Sequence, residues 1–320
     1  MPEELNMIDA MEHRAKRRED RREFFRAFGA AAVVTGGVAL AGGFSPLSAQ
    51  TAPTDADVFN FALNLEYLEA TFYSRAVFGT DLDAGQVTGT TAAGTVNVSG
   101  AKQVTFSDPV VAQLAREIAT NERLHVQFVR STIGSAAISR PALDLSVSPT
   151  SAFSQAARAA GLIGANESFD PYANDENFLL AAFLFEDVGV TAYKGASPLI
   201  TNKTFLEAAA GILAVEGYHA SMIRTTLYQK GMTTPGSTAI AGTEAISGAR
   251  DSLDGASDID QGVAMVNNAS NIAPTDADGI AFSRTTGQVL NIAYLNRAAV
   301  SSGGFFPSGV NGTLRTSAAN

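Results

Sequence analysis

The 320-residue chain contains no cysteine and no tryptophan, and only three histidines. Without thiols it can form no disulfide, no four-cysteine zinc site and no thiolate-held iron–sulfur cluster. Any metal must therefore be held by imidazole and carboxylate. Positive charge is short as well: 22 Lys and Arg stand against 32 Asp and Glu, a net charge of −10. That balance argues against a nucleic-acid partner, because phosphate binding needs clustered basic side chains. Only 17% of residues are charged and 46% are hydrophobic. The chain can bury a substantial core, as one large domain or two.

The first fifty residues read differently from the rest. A basic run, HRAKRREDRREFFRAFG, leads into AAAVVTGGVALAGGF and then SPLSAQ. The segment Asp20 to Arg26, with Arg21 and Arg22 paired ahead of Phe24 and Phe25, resembles a twin-arginine export signal. Its apolar part is rich in Ala and Gly, which suits a translocated signal better than the ~20 strongly apolar residues of a stable anchor. We therefore expect residues 1–49 to be a signal peptide cleaved near Ala49, with an uncleaved anchor as the alternative. The expected location is periplasmic or exported, with no stable membrane span in the mature form. This segment holds seven basic and seven acidic residues, so its removal leaves the net charge at −10. The twin-arginine route carries folded proteins, commonly with a cofactor already loaded.

Four segments of the remainder have helical periodicity and adequate length. They run over about 55–78, 109–133, 175–194 and 203–229, the last ended by Gly231. Thr54 or Asp55, and Ser107 or Asp108 followed by Pro109, are natural N-terminal caps for the first two. The Gly- and Thr-rich stretch between them suggests a loop with a small β-hairpin. A long connection over 134–174, with a short helical piece near 151–163, joins the second helix to the third. This order matches an all-α four-helix bundle with one long crossover. Residues 50–231 are assigned to the bundle. Residues 232–320, rich in Gly, Ser, Thr and Asp with one expected helix near 281–297, form a C-terminal extension that wraps it.

Every histidine beyond residue 50 follows a glutamate by three: Glu122–His125 in NERLH and Glu216–His219 in VEGYH. Helical steps of three, four and seven from Glu122 meet Ala115, Ile118, Ala119, Val126 and Val129. From Glu216 they meet Ala209, Ile212, Leu213, Ala220 and Ile223. Glu66 and Glu186 likewise sit in the apolar stripes of the first and third helices, each followed seven residues later by a tyrosine, Tyr73 and Tyr193. Glu117 and Glu207, by contrast, have polar neighbours and read as solvated positions. Four carboxylates gathered in a bundle core repel one another and lose hydration, at several kcal/mol per ion unless something compensates. Two divalent cations would do so. Four carboxylates and two imidazoles supply six ligands, and one Glu from each of two helices with Glu-x-x-His from the other two is the pattern of di-iron and di-manganese bundles. The expected metal ligands are thus Glu66, Glu122, His125, Glu186, Glu216 and His219, holding two ions of Fe or Mn, a choice the ligand set leaves open. Glu69 also has an apolar neighbourhood and competes with Glu66 for the first-helix position. Matched spacing to the tyrosines favours Glu66. Tyr73 and Tyr193 are candidates for hydrogen-bond donors to ligands or radical sites, or are simply core aromatics. Asp187 and Asn121 are candidate partners for the outer imidazole nitrogens.

With LEYLEATFY, NERLH, FEDVGVTAY and VEGYH at the four ligand positions, the chain resembles the ferritin-like superfamily. More narrowly, NIAPTDADGIAFSRTTGQVLNIAYL and GGFFPSGVNG near the C-terminus look like the desiccation-related, ferritin-like proteins. The resemblance implies a metal-dependent role in stress, loosely defined. Redox chemistry on a small-molecule substrate, peroxide or dioxygen, is the reading favoured by the site. Peroxide disproportionation suits an exported, cysteine-free protein because no external electron donor is needed. A non-enzymatic metal-binding or desiccation-protection protein of the cell envelope is the alternative, and a homo-oligomer is compatible with either. No compact storage-ferritin chain or four-cysteine iron site is present, which argues against cage storage and a built-in electron donor.

Overall fold

A computed structural model describes residues 52–320, and the expected export signal lies outside them. Among the described residues seven α-helices carry the fold: α1 Asp55–Tyr73, α2 Pro109–Ile133, α3 Ala152–Ala159, α4 Asp175–Ala196, α5 Lys203–Thr233, α6 Ala239–Asp254 and α7 Thr286–Ala293. α1, α2, α4 and α5 form the bundle, with α1 packed on α2 and α4 on α5. α1 opens on a capping box, in which the Thr54 side chain accepts from the Asp57 amide and the Asp57 carboxylate accepts from the Thr54 amide. At α2 the Asp108 carboxylate accepts from the Val110 amide, and Pro109 occupies a first-turn position that needs no N–H. Asn174 and Asn202 cap α4 and α5.

The two pairs bury their helices differently. α2 and α5 bury one stripe each, at three- and four-residue steps from Val111 to Val129 and from Ala209 to Leu227. α1 is buried at every position from Val58 to Tyr73, and α4 at every position from Phe178 to Gly189. A helix apolar all round must be covered all round, and the chain supplies the covers. The Tyr67 hydroxyl donates to the carbonyls of Gln86 and Ile138 in the two long connections. Asn64 exchanges two hydrogen bonds with the backbone of Asn311 near the C-terminus. α6 and α7 pack on α4.

Several expectations shift. α1 does not run unbroken to Phe78: it gives way after Tyr73 to a π-helical turn, Ser74–Phe78, closed by Gly79 in the left-handed region at φ 70°. α5 passes through Gly231 to Thr233, because the glycine continues the helical hydrogen bonding. The stretch between α1 and α2 forms no hairpin. Its strand β1, Val96–Asn97, pairs in parallel with β2, Leu143–Asp144, from the crossover. The reason is steric. Gly94 lies so close to the crossover that a Cβ there would come within 1.9 Å of the Ala142 amide nitrogen. The short helix of the crossover is Ala152–Ala159, and the expected C-terminal helix is confined to Thr286–Ala293.

The extension contains a second helix, α6, that its Gly- and Ser-rich sequence did not suggest. Five buried ion pairs form a network where this region meets the bundle, and one of them, Asp187–Arg250, joins the two. Asp187 on α4 meets Arg224 on α5 at 2.7 Å and Arg250 on α6 at 3.0 Å. Arg250 and Arg284 share Asp260, each at 2.6 Å, and Arg284 also meets Asp254 at 2.6 Å. Three guanidinium groups against three carboxylates leave no net charge. Most remaining donors reach oxygens, as with Arg224 to the Gly262 carbonyl, Arg250 to that of Phe183 and Arg284 to the Thr191 hydroxyl, while Nε of Arg250 has no partner. That is the condition under which buried charge is tolerated. Among the described residues, no helix is long and apolar enough to cross a membrane.

Candidate metal centre

Each bundle helix delivers its acidic side chain to the same level of the core. α1 brings Glu66, α2 Glu122 and His125, α4 Glu186, and α5 Glu216 and His219. The i, i+3 spacing puts glutamate and histidine on one face of α2 and of α5 about a turn apart, so both pairs point inward. All four glutamates are completely buried. His125 Nδ1 lies 3.3 Å from Glu66 Oε2 and 3.5 Å from both Glu122 Oε1 and Glu216 Oε1. His219 Nδ1 lies 3.0 Å from Glu122 Oε1 and 3.4 Å from Glu186 Oε2. The result is two adjacent groups able to hold a metal, Glu66–Glu122–His125–Glu216 and Glu122–Glu186–His219, with Glu122 common to both.

The converging atoms lack hydrogen-bond partners. Both oxygens of Glu122 and of Glu216, one each of Glu66 and Glu186, and Nδ1 of both histidines are buried without one. A buried polar atom left unpaired costs about 1–3 kcal/mol, and here eight such atoms face one another. A cation between them would satisfy the set at once, so the residues present fit a metal pair. Without a cation, protons must balance the charge. Burial, and then the Glu122 carboxylate, push Glu216 well above the usual carboxylate range. Burial also opposes ionisation of Glu122, but the two imidazoles outweigh it and hold that carboxyl down at about 2. Burial disfavours a charged His219, yet Glu186 and Glu122 raise it to about 11.

The oxygens that face away from the cluster are tied down. Tyr73 on α1 donates its hydroxyl to Glu186 Oε1 on α4, and Tyr193 on α4 donates to Glu66 Oε1 on α1. Each tyrosine thus orients the glutamate of the opposite helix. Burial, then the neighbouring glutamate, raise both phenols well above their ordinary range, so they remain donors. Of the candidate partners for the imidazoles, Asn121 lies 3.2 Å from His219 Nε2. Asp187 reaches neither histidine. It points to a different face of α4, where Arg224 and Arg250 hold it.

Glu69 is buried but stands outside both groups. Burial comes first among the causes that hold its carboxyl well above the ordinary range, followed by the four neighbouring glutamates. Sequence reasoning missed Gly189. A Cβ at that position would lie 2.2 Å from Glu216 Oε2 and 3.7 Å from Glu69 Oε1, so the missing side chain is what gives Glu216 its place. The signal was present in the spacing, since Gly189 follows Glu186 by three, as Glu69 follows Glu66.

Known proteins are similar to this chain in sequence. Residues 54–229 match the Ferritin-like domain family. The chain is 34% identical over 177 residues to the desiccation-related protein PCC13-62 of Craterostigma plantagineum, covering 55% of this chain and 54% of that protein. It therefore spans about half the length of that relative. It is 30% identical over 270 residues to the ferritin-like catalase Nec2 of Nesocodon mauritianus, covering 81% of this chain and 84% of that protein. The bundle, the acidic core and the matched stretch coincide, and the chain belongs to the ferritin-like domain family.

Proposed function

We propose that the protein is a di-metal carboxylate oxidoreductase in which Glu66, Glu122, His125, Glu186, Glu216 and His219 hold two ions of iron or manganese. Its substrate is peroxide, with dioxygen as the other small oxidant such a site accepts. One observation carries this reading: eight buried, unpaired ligand atoms converge in two groups that share Glu122. Similarity to a protein described as a catalase supports the choice of substrate. When bound, the metal pair would supply two-electron redox capacity, so that one peroxide is oxidised to dioxygen while another is reduced to two waters. The oxidised peroxide gives up two protons and the reduced one takes two. The protein has to hold them in between. Glu69, buried beside Glu216 and outside the two ligand groups, is a carboxyl that can hold one of them, and water at the centre would carry the other. Tyr73 and Tyr193 keep the outer oxygens of Glu186 and Glu66 occupied, so the inner oxygens remain free for the ions. Packing of α1 and α4 on all sides shields the centre from bulk water on those two helices' sides.

The test is metal analysis of the purified protein followed by peroxide addition. Glu122→Ala removes the residue common to both groups, and peroxide consumption should fall to background with it. A variant that turns over like the loaded wild type would overturn the proposal. A second reading, a non-enzymatic protein of desiccation protection whose metal acts as a staple, is favoured by the similarity to the desiccation-related protein. It expects the metal to raise the melting temperature while peroxide turnover stays at background. Export through the twin-arginine route, which the N-terminal motif supports, would bring the loaded protein to the periplasm or beyond.

A further inference from the structure

The two halves of the bundle repeat one another. Glu66 and Tyr73 on α1 correspond to Glu186 and Tyr193 on α4, and Glu122 and His125 on α2 correspond to Glu216 and His219 on α5. The position ahead of each Glu-x-x-His breaks this repeat: Asn121 on α2, Val215 on α5. Asn121 reaches across to His219, with its Nδ2 3.2 Å from Nε2. Among the described residues, nothing is hydrogen-bonded to Nε2 of His125, and Val215 has no polar atom to offer. Exposure differs in the same sense. His219 is completely buried, whereas His125 is 7% exposed.

We infer that the two metal positions are unequal: Asn121 pins His219 and closes its half of the centre, while the His125 half is unsupported and exchanges with solvent. This rests on the reading of the cluster as a metal site. An imidazole that binds a cation through Nδ1 keeps its proton on Nε2, and a half-turn of the Asn121 amide presents an oxygen to accept it. Such a bond sets the ring's orientation and tautomer, and its loss typically costs 10–100-fold in metal affinity. Asn121 is a positioning residue here, since it acts on the metal through His219.

The experiment follows metal loss and does not depend on activity. Protein loaded with Mn(II) is mixed with excess chelator, and free Mn(II) is recorded over time by electron paramagnetic resonance. Wild type should release its two ions in two phases of equal amplitude, at least ~10-fold apart in rate. His125→Ala should keep only a slowly lost ion, and His219→Ala only a rapidly lost one. Asn121→Val should speed the slow phase about 10-fold or more, whereas Asn121→Asp, which still accepts from Nε2–H, should keep it slow. Val215→Asn should slow the fast phase. Circular-dichroism melts of each variant verify folding. A single release phase in wild type, or an unchanged slow phase in folded Asn121→Val, overturns the inference and leaves the metal site standing. If loaded wild type retains neither Mn(II) nor, in a parallel loading read by elemental analysis, Fe(II), both the inference and the proposed function fall.

Discussion

At the scale of single residues, the centre is a problem in balancing buried charge. The inward-facing carboxylates cannot all be ionised in a dry core without cations, and the carboxyls of Glu216 and Glu69 are raised by burial first and then by the neighbouring glutamates. Replacing Glu216 by glutamine keeps the shape and removes the charge. The metal-free protein should then melt no lower than wild type, while the rise in melting temperature on adding Mn(II) should shrink or vanish. Both are read in one pair of thermal scans. Metal binding must also displace protons from Glu216, His125 and His219, groups whose proton affinity is raised in the metal-free protein. Affinity should therefore rise with pH, and calorimetry in buffers of different ionisation enthalpy should detect proton release. Gly189→Ala would set a methyl group against Glu216 Oε2. We expect folded protein with less than the full complement of metal by elemental analysis.

At the scale of elements, helices with a solvent face were the most legible. α2 begins at Pro109 and ends at Ile133 as its cap, its proline and its one-sided stripe indicate. α1 and α4 were legible as helices by length, but not in what covers them. α6 was hidden, because AIAGTEAISGARDSLD has two glycines and few large apolar residues, so neither propensity nor stripe marks it. Its helical form comes from packing on α4, with Arg250 and Asp254 turned inward to partners distant in sequence. The β1–β2 pair was equally hidden, since the glycines that read as turn signals serve close approach instead. Gly94→Ala should wedge β1 from the crossover and cost about 1–3 kcal/mol, as overpacking does. Metal stoichiometry should stay intact, and urea denaturation beside metal analysis separates the two effects.

At the scale of the whole molecule, the C-terminal extension is fastened to the bundle that carries the candidate metal centre. Asp187, next to Glu186, accepts from one arginine of the bundle and one of the extension. Gly195 on α4 lets the Arg284 carbonyl pass where a Cβ would stand 1.9 Å away. Removing one partner of a buried pair leaves the other charge stranded, at about 3–5 kcal/mol. Asp187→Ala strands Arg224, while Arg250 keeps Asp260, and should lower stability by about that much in urea denaturation. If it instead unfolds the extension alone, two transitions should replace one.

The sequence by itself determined the six candidate ligands, the two tyrosines and the four helices that carry them. Those features are local: a glutamate three residues before a histidine shares its face wherever the helix goes, and an acidic side chain in an apolar stripe is turned inward with that stripe. Tertiary structure decided what depends on distance between helices. It brought Glu66 into the cluster and left Glu69 beside it, gave Asn121 rather than Asp187 to a histidine, and crossed each tyrosine to the opposite helix. Helical rotation and axial shift set these outcomes. Both are governed by packing across the whole core, where a shift of an ångström or two changes which oxygen meets which nitrogen.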